Sequence, residues 1–443
     1  MRESATTLVE QAIANLDRTE PDVHAYARVF EKQALEQARQ LDGEADRGPL
    51  HGVPFAVKEV FEVAGVETTG GSRALAGRIA EADAAVVQRL RSSGAVLIGT
   101  QVSHELTCGL DEPPTRNPWN LACYPGGSSA GAGVSVAVGS ALFALGTDAA
   151  GSVRIPAAMT GVVGFKPSMG AVSKRGVIRE ASAPSIDNVG IVARDVALVA
   201  HVFGAISFAD AGDTQSLLRR PHVSKIEVRD LPSPEGRRIA ILGERTMEML
   251  DRIFERQTEV KLAFERCCER LASRGARLVE LELPGLAQAG NVITTFFSQE
   301  LAFAHRKLLH ARGADYHPQV REMLAAAMAA SPTLLDEVMT LRMGLAVDVE
   351  RGFGALSVDA LLTPTTPRVA MPLADFDPTK ELGTLIPYTC GFNLTGHPAI
   401  SIPNGVDGNG MPIGVQLVGK RYDDHALLQL AAGLEQPYFG LRS

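Results

Sequence analysis

Residues 126–165 carry the pattern that decides the fold, and they read GGSSAGAGVSVAVGSALFALGTDAAGSVRIPAAMTGVVGF. Asp148 and Arg154 are the only formally charged residues in this stretch, which otherwise consists of glycine, alanine, serine and small apolar side chains. Because an unpaired polar group in a core is costly, so low a charge content indicates a buried segment. Serines beside paired glycines in such a segment are candidates for catalysis.

Strands and helices are predicted to alternate in and before this stretch, with strands at 53–57, 95–98, 142–146 and 162–165 and helices at 83–93 and 130–138. Such alternation on a short repeat is typical of parallel strands joined by helical connections. The predicted fold class is α/β: a single large domain with a mixed, mostly parallel central sheet covered by helices on both faces.

The remainder of the chain extends this pattern, with predicted strands at 238–242, 277–283, 360–362, 399–402 and 413–418 and helices at 252–274 and 423–434. Apolar stripes predict two helices within 4–42 and helices throughout 286–355, whereas 205–237 is a polar connection. One domain, 1–443, is expected, with N-terminal helices at 1–48, a core with the candidate residues at 50–200, a variable, largely helical region at 205–355 and the C-terminal part of the core at 356–443.

Composition excludes several classes of protein. The 443 residues are 45% hydrophobic and 21% charged, which is ordinary for a globular chain. A net charge of −8 without a Lys/Arg block gives no sign of nucleic acid as a partner. The most apolar run, 130–145, is too short for a membrane span, and the N-terminus lacks the apolar run of a secretory signal. A cytoplasmic protein with five unpaired cysteines is expected.

Three kinds of site find little support in the motifs. Residues 127–131 match G-x-S-x-G, the nucleophile elbow of α/β-hydrolases with Ser129 at its centre, but 119–125 is not a convincing strand and no downstream histidine has a signature context. A phosphate-binding P-loop would need Gly-Lys-Ser/Thr, which is absent. No His or Cys pair has metal-ligand spacing, so neither a metal nor a cofactor is expected.

A serine nucleophile with a lysine base is the fourth kind. Lys58 ends a predicted buried strand, where desolvation would lower its pKa and make the neutral amine available as a base. The residues alone equally allow a surface lysine after an edge strand.

The motifs resemble the amidase signature family. The resemblance lies in GGSSAGAG, in GTDAAGSVRIPAAMTGVVGFKPS, in HGVPFAVKEVFEVAGVETTGGS around Lys58, in PTRNPWN and ALLTPTTP, and in GFNLTGHPAISIPNGVDGNGMPIGVQLVGKRYDDHALL. It covers nearly the whole chain and is weak across about 205–237 and 286–355. It implies the amidase signature fold and amide hydrolysis by a Ser–cis-Ser–Lys triad.

Carried onto this sequence, the resemblance implies that Ser152 is the nucleophile, Ser128 the bridging serine after a cis peptide bond, and Lys58 the base. A serine hydroxyl is a poor nucleophile until a base removes its proton, and a second hydroxyl can relay that proton because it both donates and accepts. Gly127 would ease the turn before Ser128, and Ser129 would hold the bridging serine in place.

An oxyanion hole is predicted from the backbone N–H groups of Ala149, Ala150, Gly151 and Ser152. Many family members have glycine where this chain has Ala150 and aspartate where it has Glu59, and neither change removes a catalytic group. Asp148 and Arg154 are predicted to pair and hold the loop rigid. The alternative for Arg154 is a clamp on a substrate carboxylate.

The substrate pocket is predicted near His104, Cys108, Tyr124 and Cys390, since ligands approach the carboxyl ends of strands. The predicted function is an amidohydrolase that cleaves a linear C–N amide-type bond of a small molecule through an acyl-enzyme, without a cofactor. Alternatives are an amidotransferase subunit that delivers ammonia to a partner, a hydrolase of urea-like or hydrazide compounds, and a non-catalytic ligand-binding member, against which the intact triad argues. No membrane or nucleic-acid partner is expected, and a homodimer is the expected assembly.

Overall fold

The computed structural model describes residues 3–217 and 234–436, so most of the predicted polar connection at 205–237 lies outside the described residues. One sheet contains the eleven strands of the described chain: β1 (Tyr26–Val29), β2 (Pro54–Lys58), β3 (Val96–Gln101), β4 (Phe143–Asp148), β5 (Val163–Lys166), β6 (Asn188–Ala193), β7 (Arg238–Leu242), β8 (Arg277–Leu281), β9 (Ala360–Pro364), β10 (Ala399–Val406) and β11 (Pro412–Gly419).

Helices cover this sheet. Within the described ranges they are α1 (Ala5–Val23), α2 (Glu31–Asp42), α3 (Ala85–Ser92), α4 (Ala130–Ala137), α5 (Arg154–Thr160), α6 (Val196–Ile206), α7 (Thr214–Leu217), α8 (Glu244–Asp251), α9 (Thr258–Ser273), α10 (Leu286–His305), α11 (Leu308–Arg312), α12 (Pro318–Met328), α13 (Pro332–Leu356), α14 (Pro378–Leu385), α15 (Gly391–Leu394) and α16 (Asp424–Leu434). In the part of the chain described, no helix combines the length and apolar character needed to cross a membrane.

The sheet is mixed, as predicted, but it is not mostly parallel. Its strand order is β1-β3-β2-β4-β6-β5-β10-β11-β9-β7-β8. The parallel pairings are β3 with β2, β2 with β4, β9 with β7 and β7 with β8, whereas the other six are antiparallel. The prediction failed at the centre because it did not include β6, which reverses the chain direction between β4 and β5.

Two local predictions near the N-terminus and the central stretch are also wrong. The segment Tyr26–Val29, predicted as helix, is an edge strand, because His24 adopts a left-handed conformation (φ 48°) that ends α1. The predicted loop between β4 and β5 contains α5, which ends at Gly161 (φ 74°). Pro156 is tolerated there because it lies in the first turn, where no intrahelical N–H partner is needed.

The region 205–355 combines helices with part of the sheet. Helices occupy the described part of 286–355 as predicted, and the predicted strands β7 and β8 form one edge of the sheet. The predicted helix at 252–274 begins later, at Thr258, and α8 precedes it.

Strands β2 and β4 position the catalytic candidates. Every residue of both strands is buried, as expected for parallel strands covered on both faces. They pair in parallel with Val57 opposite Leu145, so the residues that follow, Lys58 and Thr147, reach the same edge of the sheet.

Candidate active site

Lys58 lies where the strand pairing directs it, in contact with the first serine of the glycine-rich stretch. Its Nζ donates to Ser128 Oγ at 2.7 Å and to Thr147 Oγ1 at 3.2 Å. The side chain of Lys58 is fully buried, which excludes the alternative of a surface lysine.

Burial has a chemical consequence for this lysine. Desolvation lowers the pKa of Lys58 to about 7, although the carboxylates of Asp187, Asp148 and Glu59 oppose the shift. A large fraction of Lys58 is therefore the neutral amine near neutral pH, which is the form that accepts a proton.

The turn before α4 presents Ser128. The Gly127–Ser128 peptide bond is cis, as the predicted bridging serine requires. A Cβ at position 127 would collide with the His104 ring and the Tyr124 hydroxyl, so this position accepts only glycine without a shift of its neighbours. The Ser128 carbonyl accepts the His104 N–H at 3.2 Å, which fixes the turn from the other side.

Ser129 faces away from the cleft. It is fully buried, its Oγ donates to the Thr147 carbonyl at 3.3 Å, and its N–H donates to the Ser152 carbonyl at 3.2 Å. No strand precedes it, since 119–128 consists of turns and loop. These contacts favour the predicted supporting role and remove the strand–turn–helix context that the nucleophile elbow needs.

The pair of Asp148 and Arg154 is fully buried and bidentate. Arg154 donates from Nε to Asp148 Oδ2 at 3.0 Å and from Nη2 to Oδ1 at 2.8 Å. Burial raises the pKa of Asp148, but the Arg154 guanidinium outweighs this effect and holds it at about 2. The pairing agrees with the prediction from the sequence.

Arg154 has no donor left for a substrate. Nη1 donates to the Thr389 carbonyl at 3.0 Å and to Gln416 Oε1 at 2.7 Å, and Nη2 donates to Asn393 Oδ1 at 2.6 Å. A guanidinium has five N–H groups, and all five are used within the protein. The alternative of a substrate-carboxylate clamp is therefore not supported by this geometry.

The predicted oxyanion loop needs one correction. The Gly151 N–H donates to Asp148 Oδ1 at 2.9 Å, so it is not available to an oxyanion. The N–H groups of Ala149, Ala150 and Ser152 make no hydrogen bond to any described residue. These three remain the candidate donors.

Ser152 and Ser128 line one cleft. The other lining residues are Thr107, Gly109, Tyr124, Gly127, Ile155, Phe376, Leu382 and Leu385. Ser152 is partly exposed to this cleft, whereas Ser128 is buried behind it beside Lys58. This arrangement allows Ser152 to meet a substrate and Ser128 to connect it to the base.

Of the four predicted pocket residues, Tyr124 lines the cleft. His104 lies behind it, with Nε2 2.9 Å from the Tyr124 hydroxyl and Nδ1 3.0 Å from Asp111. Cys108 and Cys390 are wrong as lining residues, because their side chains pack in the apolar core. Burial raises the pKa of both thiols, to about 12 for Cys390, which makes them poor nucleophiles.

Several residues of the site were not found from the sequence. Thr147 contacts Lys58, and Asp187 is a buried carboxylate whose charge acts on Lys58. Burial raises the pKa of Asp187 to about 6, against the opposing charges of Lys174 and Lys58. Thr147 precedes the charged pair by one position, which is a usable signal, whereas Asp187 stands in a segment without a recognisable motif.

Comparison with known proteins agrees with this geometry. The family model described as Amidase matches residues 7–428. A subunit of the glutamyl-tRNA(Gln) amidotransferase of Symbiobacterium thermophilum is 35% identical, over 97% of this chain and 92% of its own length.

Solved structures agree in fold. A structure described as an amidase superposes with a TM-score of 0.84 at 31% identity, covering 98% of this chain and 96% of its own. The peptide amidase of Stenotrophomonas maltophilia superposes with a TM-score of 0.84 at 28% identity, covering 99% of this chain and 95% of its own.

Proposed function

The chain belongs to the amidase family, and we propose that it cleaves an amide C–N bond with Ser152 as nucleophile, Ser128 as proton relay and Lys58 as base. One observation carries this proposal: the fully buried amine of Lys58 lies 2.7 Å from Ser128 Oγ in the cleft that Ser152 also lines. The depressed pKa of Lys58 supports the role of base at neutral pH.

The proposed reaction has two halves. Ser152 Oγ attacks the amide carbonyl while its proton passes through Ser128 to the neutral Lys58. The N–H groups of Ala149, Ala150 and Ser152 stabilise the oxyanion, each contributing on the order of 3 kcal/mol. The C–N bond breaks, the nitrogen leaves with a proton from Lys58, and water then hydrolyses the Ser152 ester by the same relay.

Two settings for this chemistry remain, a free amidohydrolase and an amidotransferase component that passes ammonia to a partner. The names of the curated relatives favour the second, since the matches in Symbiobacterium thermophilum and Methanosarcina barkeri are both subunits of a glutamyl-tRNA(Gln) amidotransferase. The free amidohydrolase has the support of solved relatives described as amidase and peptide amidase. In both settings the first product of a primary amide is ammonia.

A fluorophosphonate probe tests the assignment of the nucleophile. We expect labelling at Ser152, located by peptide mass spectrometry, and its suppression at neutral pH in Lys58→Ala. Leu262→Ala, an exposed position on α9, is the control and should label like the parent protein. Labelling at Ser129, or unchanged amide turnover in Ser152→Ala, would contradict the mechanism.

A further inference from the structure

The walls of the cleft around the two serines are apolar and uncharged. Opposite Ser152 lie Phe376, Leu382 and Leu385, and Ile155 and the Tyr124 ring complete the wall. None of the residues that line the cleft carries a formal charge. Burying a charged group against such a surface is costly, because nothing there replaces its hydration.

The polar atoms behind this wall are already engaged. The Tyr124 hydroxyl bonds to His104, which bonds in turn to Asp111. The Tyr124 ring stacks on Phe376 with centroids 4.0 Å apart and an interplanar angle of 17°. Tyr124 therefore offers the cleft mainly a ring surface.

The segment that carries the apolar wall is fixed to the body of the protein. Tyr124 N–H donates to the Met371 carbonyl and Leu373 N–H to the Ala122 carbonyl, both at 2.8 Å. Leu382 packs against Gly109, where a Cβ would come within 3.2 Å of its Cδ1.

Charged residues near this wall pair with one another. Lys380 pairs with Asp377 at 2.9 Å, and Arg368 pairs with Glu381 at 3.3 Å. The guanidinium of Arg154 is saturated within the protein, as described above. Neither the wall nor its surroundings supplies a free partner for the ammonium and carboxylate of an amino acid.

We infer that the cleft takes a neutral, apolar amide, and that Phe376, Leu382 and Leu385 select it over a zwitterionic amino-acid amide such as free glutamine. This inference rests on the proposed function and names the substrate class of the same site. In an amidotransferase assembly, it would make a neutral amide the source of ammonia.

The test compares pentanamide with glutamine, which share five carbons and a terminal carboxamide and differ in the two charges. Ammonia release is measured for both, together with the concentration of each that protects Ser152 from fluorophosphonate labelling. We expect pentanamide to have at least about a tenfold higher kcat/KM and to protect at a lower concentration. Leu382→Asp should reduce this preference at least about tenfold, whereas Leu262→Asp, on the exposed face of α9, should leave it unchanged.

The outcomes separate the two proposals. Better turnover or protection by glutamine, or protection by neither compound, overturns the apolar-substrate inference while labelling of Ser152 upholds the proposed mechanism. Absence of labelling at Ser152 in the folded protein refutes the mechanism itself. An unchanged preference in Leu382→Asp, with the circular dichroism of the parent protein, also overturns the inference.

Discussion

Lys58 owes its chemistry to its surroundings more than to its position on a strand. Burial lowers its pKa, and the carboxylates of Asp187, Asp148 and Glu59 limit how far it falls. Two of these carboxylates have other engagements, since Asp148 holds Arg154 and Glu59 accepts the Ser103 N–H at 3.0 Å. Asp187 is thus the carboxylate with which the pKa of the base can be tested.

Asp187→Asn is expected to shift the pH profile to the acid side. Removal of a negative charge near Lys58 lowers its pKa further, and activity needs the neutral amine, so the acid limb of kcat/KM should move down by about half a pH unit to one pH unit. Rates of amide hydrolysis from pH 5 to 9 measure this shift. Asp22→Asn, exposed on α1, is the control, and a shift to higher pH in Asp187→Asn would show that the carboxylate does not stabilise Lys58 as the cation.

At this scale the sequence was informative where a motif existed. Lys58, Ser128 and Ser152 were placed through the resemblance, and the structure brings Lys58 and Ser128 into contact and both serines to one cleft. Cys390 was misplaced and Asp187 was missed, because which face of a loop a side chain occupies depends on packing between distant segments.

The connection from β4 to α5 is the element that presents the nucleophile. Asp148, at the end of β4, accepts N–H groups from Gly151 at 2.9 Å and from Val153 at 3.2 Å, so the carboxylate shapes the loop around Ser152. The loop can close in this way because Gly151 has φ 129°, which side-chain-bearing residues rarely adopt.

Gly151→Ala is therefore expected to reduce kcat/KM by at least about a hundredfold. The added methyl group would meet the Thr389 side chain and would disfavour the backbone angle, displacing Ser152 and the oxyanion donors. Gly408→Ala, which meets no atom within 4 Å, is the control and should retain parental activity. Parental activity in both variants would show that the loop tolerates an ordinary backbone angle.

Element prediction followed hydrophobic periodicity and failed where periodicity is weak. Strand β4 and helix α4 were predicted to within two residues at either end. Helix α5 was missed because its sequence, RIPAAMT, is short, contains a proline and is buried on all sides. Without a polar face, a helix of this length has no amphipathic signal.

Arg154 joins distant parts of the whole molecule. Beyond Asp148, its partners Thr389, Asn393 and Gln416 come from the turn before α15, from α15 itself and from β11, more than 230 residues along the chain. Asn393 also donates to the Asp148 carbonyl at 2.6 Å. The nucleophile loop and the C-terminal part of the sheet are thereby held as one unit.

Arg154→Met is expected to lower the free energy of unfolding by about 3–5 kcal/mol, because it leaves Asp148 buried without its partner. Urea unfolding followed by circular dichroism measures the change. Arg252→Met is the matched control, since Arg252 is 79% exposed and lies 4.0 Å from Glu248, and it should cost less than about 1 kcal/mol. Equal losses in the two variants would contradict the structural role of Arg154.

The overall class of fold followed from the order of elements, but the direction of the strands did not. Pairing of β6 between β4 and β5, and of β10 with β5, joins segments far apart in sequence. Hydrophobic pattern specifies which residues are buried, not which strand a buried strand adjoins. The mixed sheet was thus predictable and its mainly antiparallel centre was not.

The network around Arg154 also sets an order for synthesis on the ribosome. Lys58, Ser128 and Ser152 are all translated well before the final strand, yet the loop of Ser152 meets its last partner, Gln416, in that strand. A nascent chain therefore carries the whole catalytic triad long before the contacts that organise it exist. Completion of translation, rather than a later processing step, supplies the contacts that organise the active site.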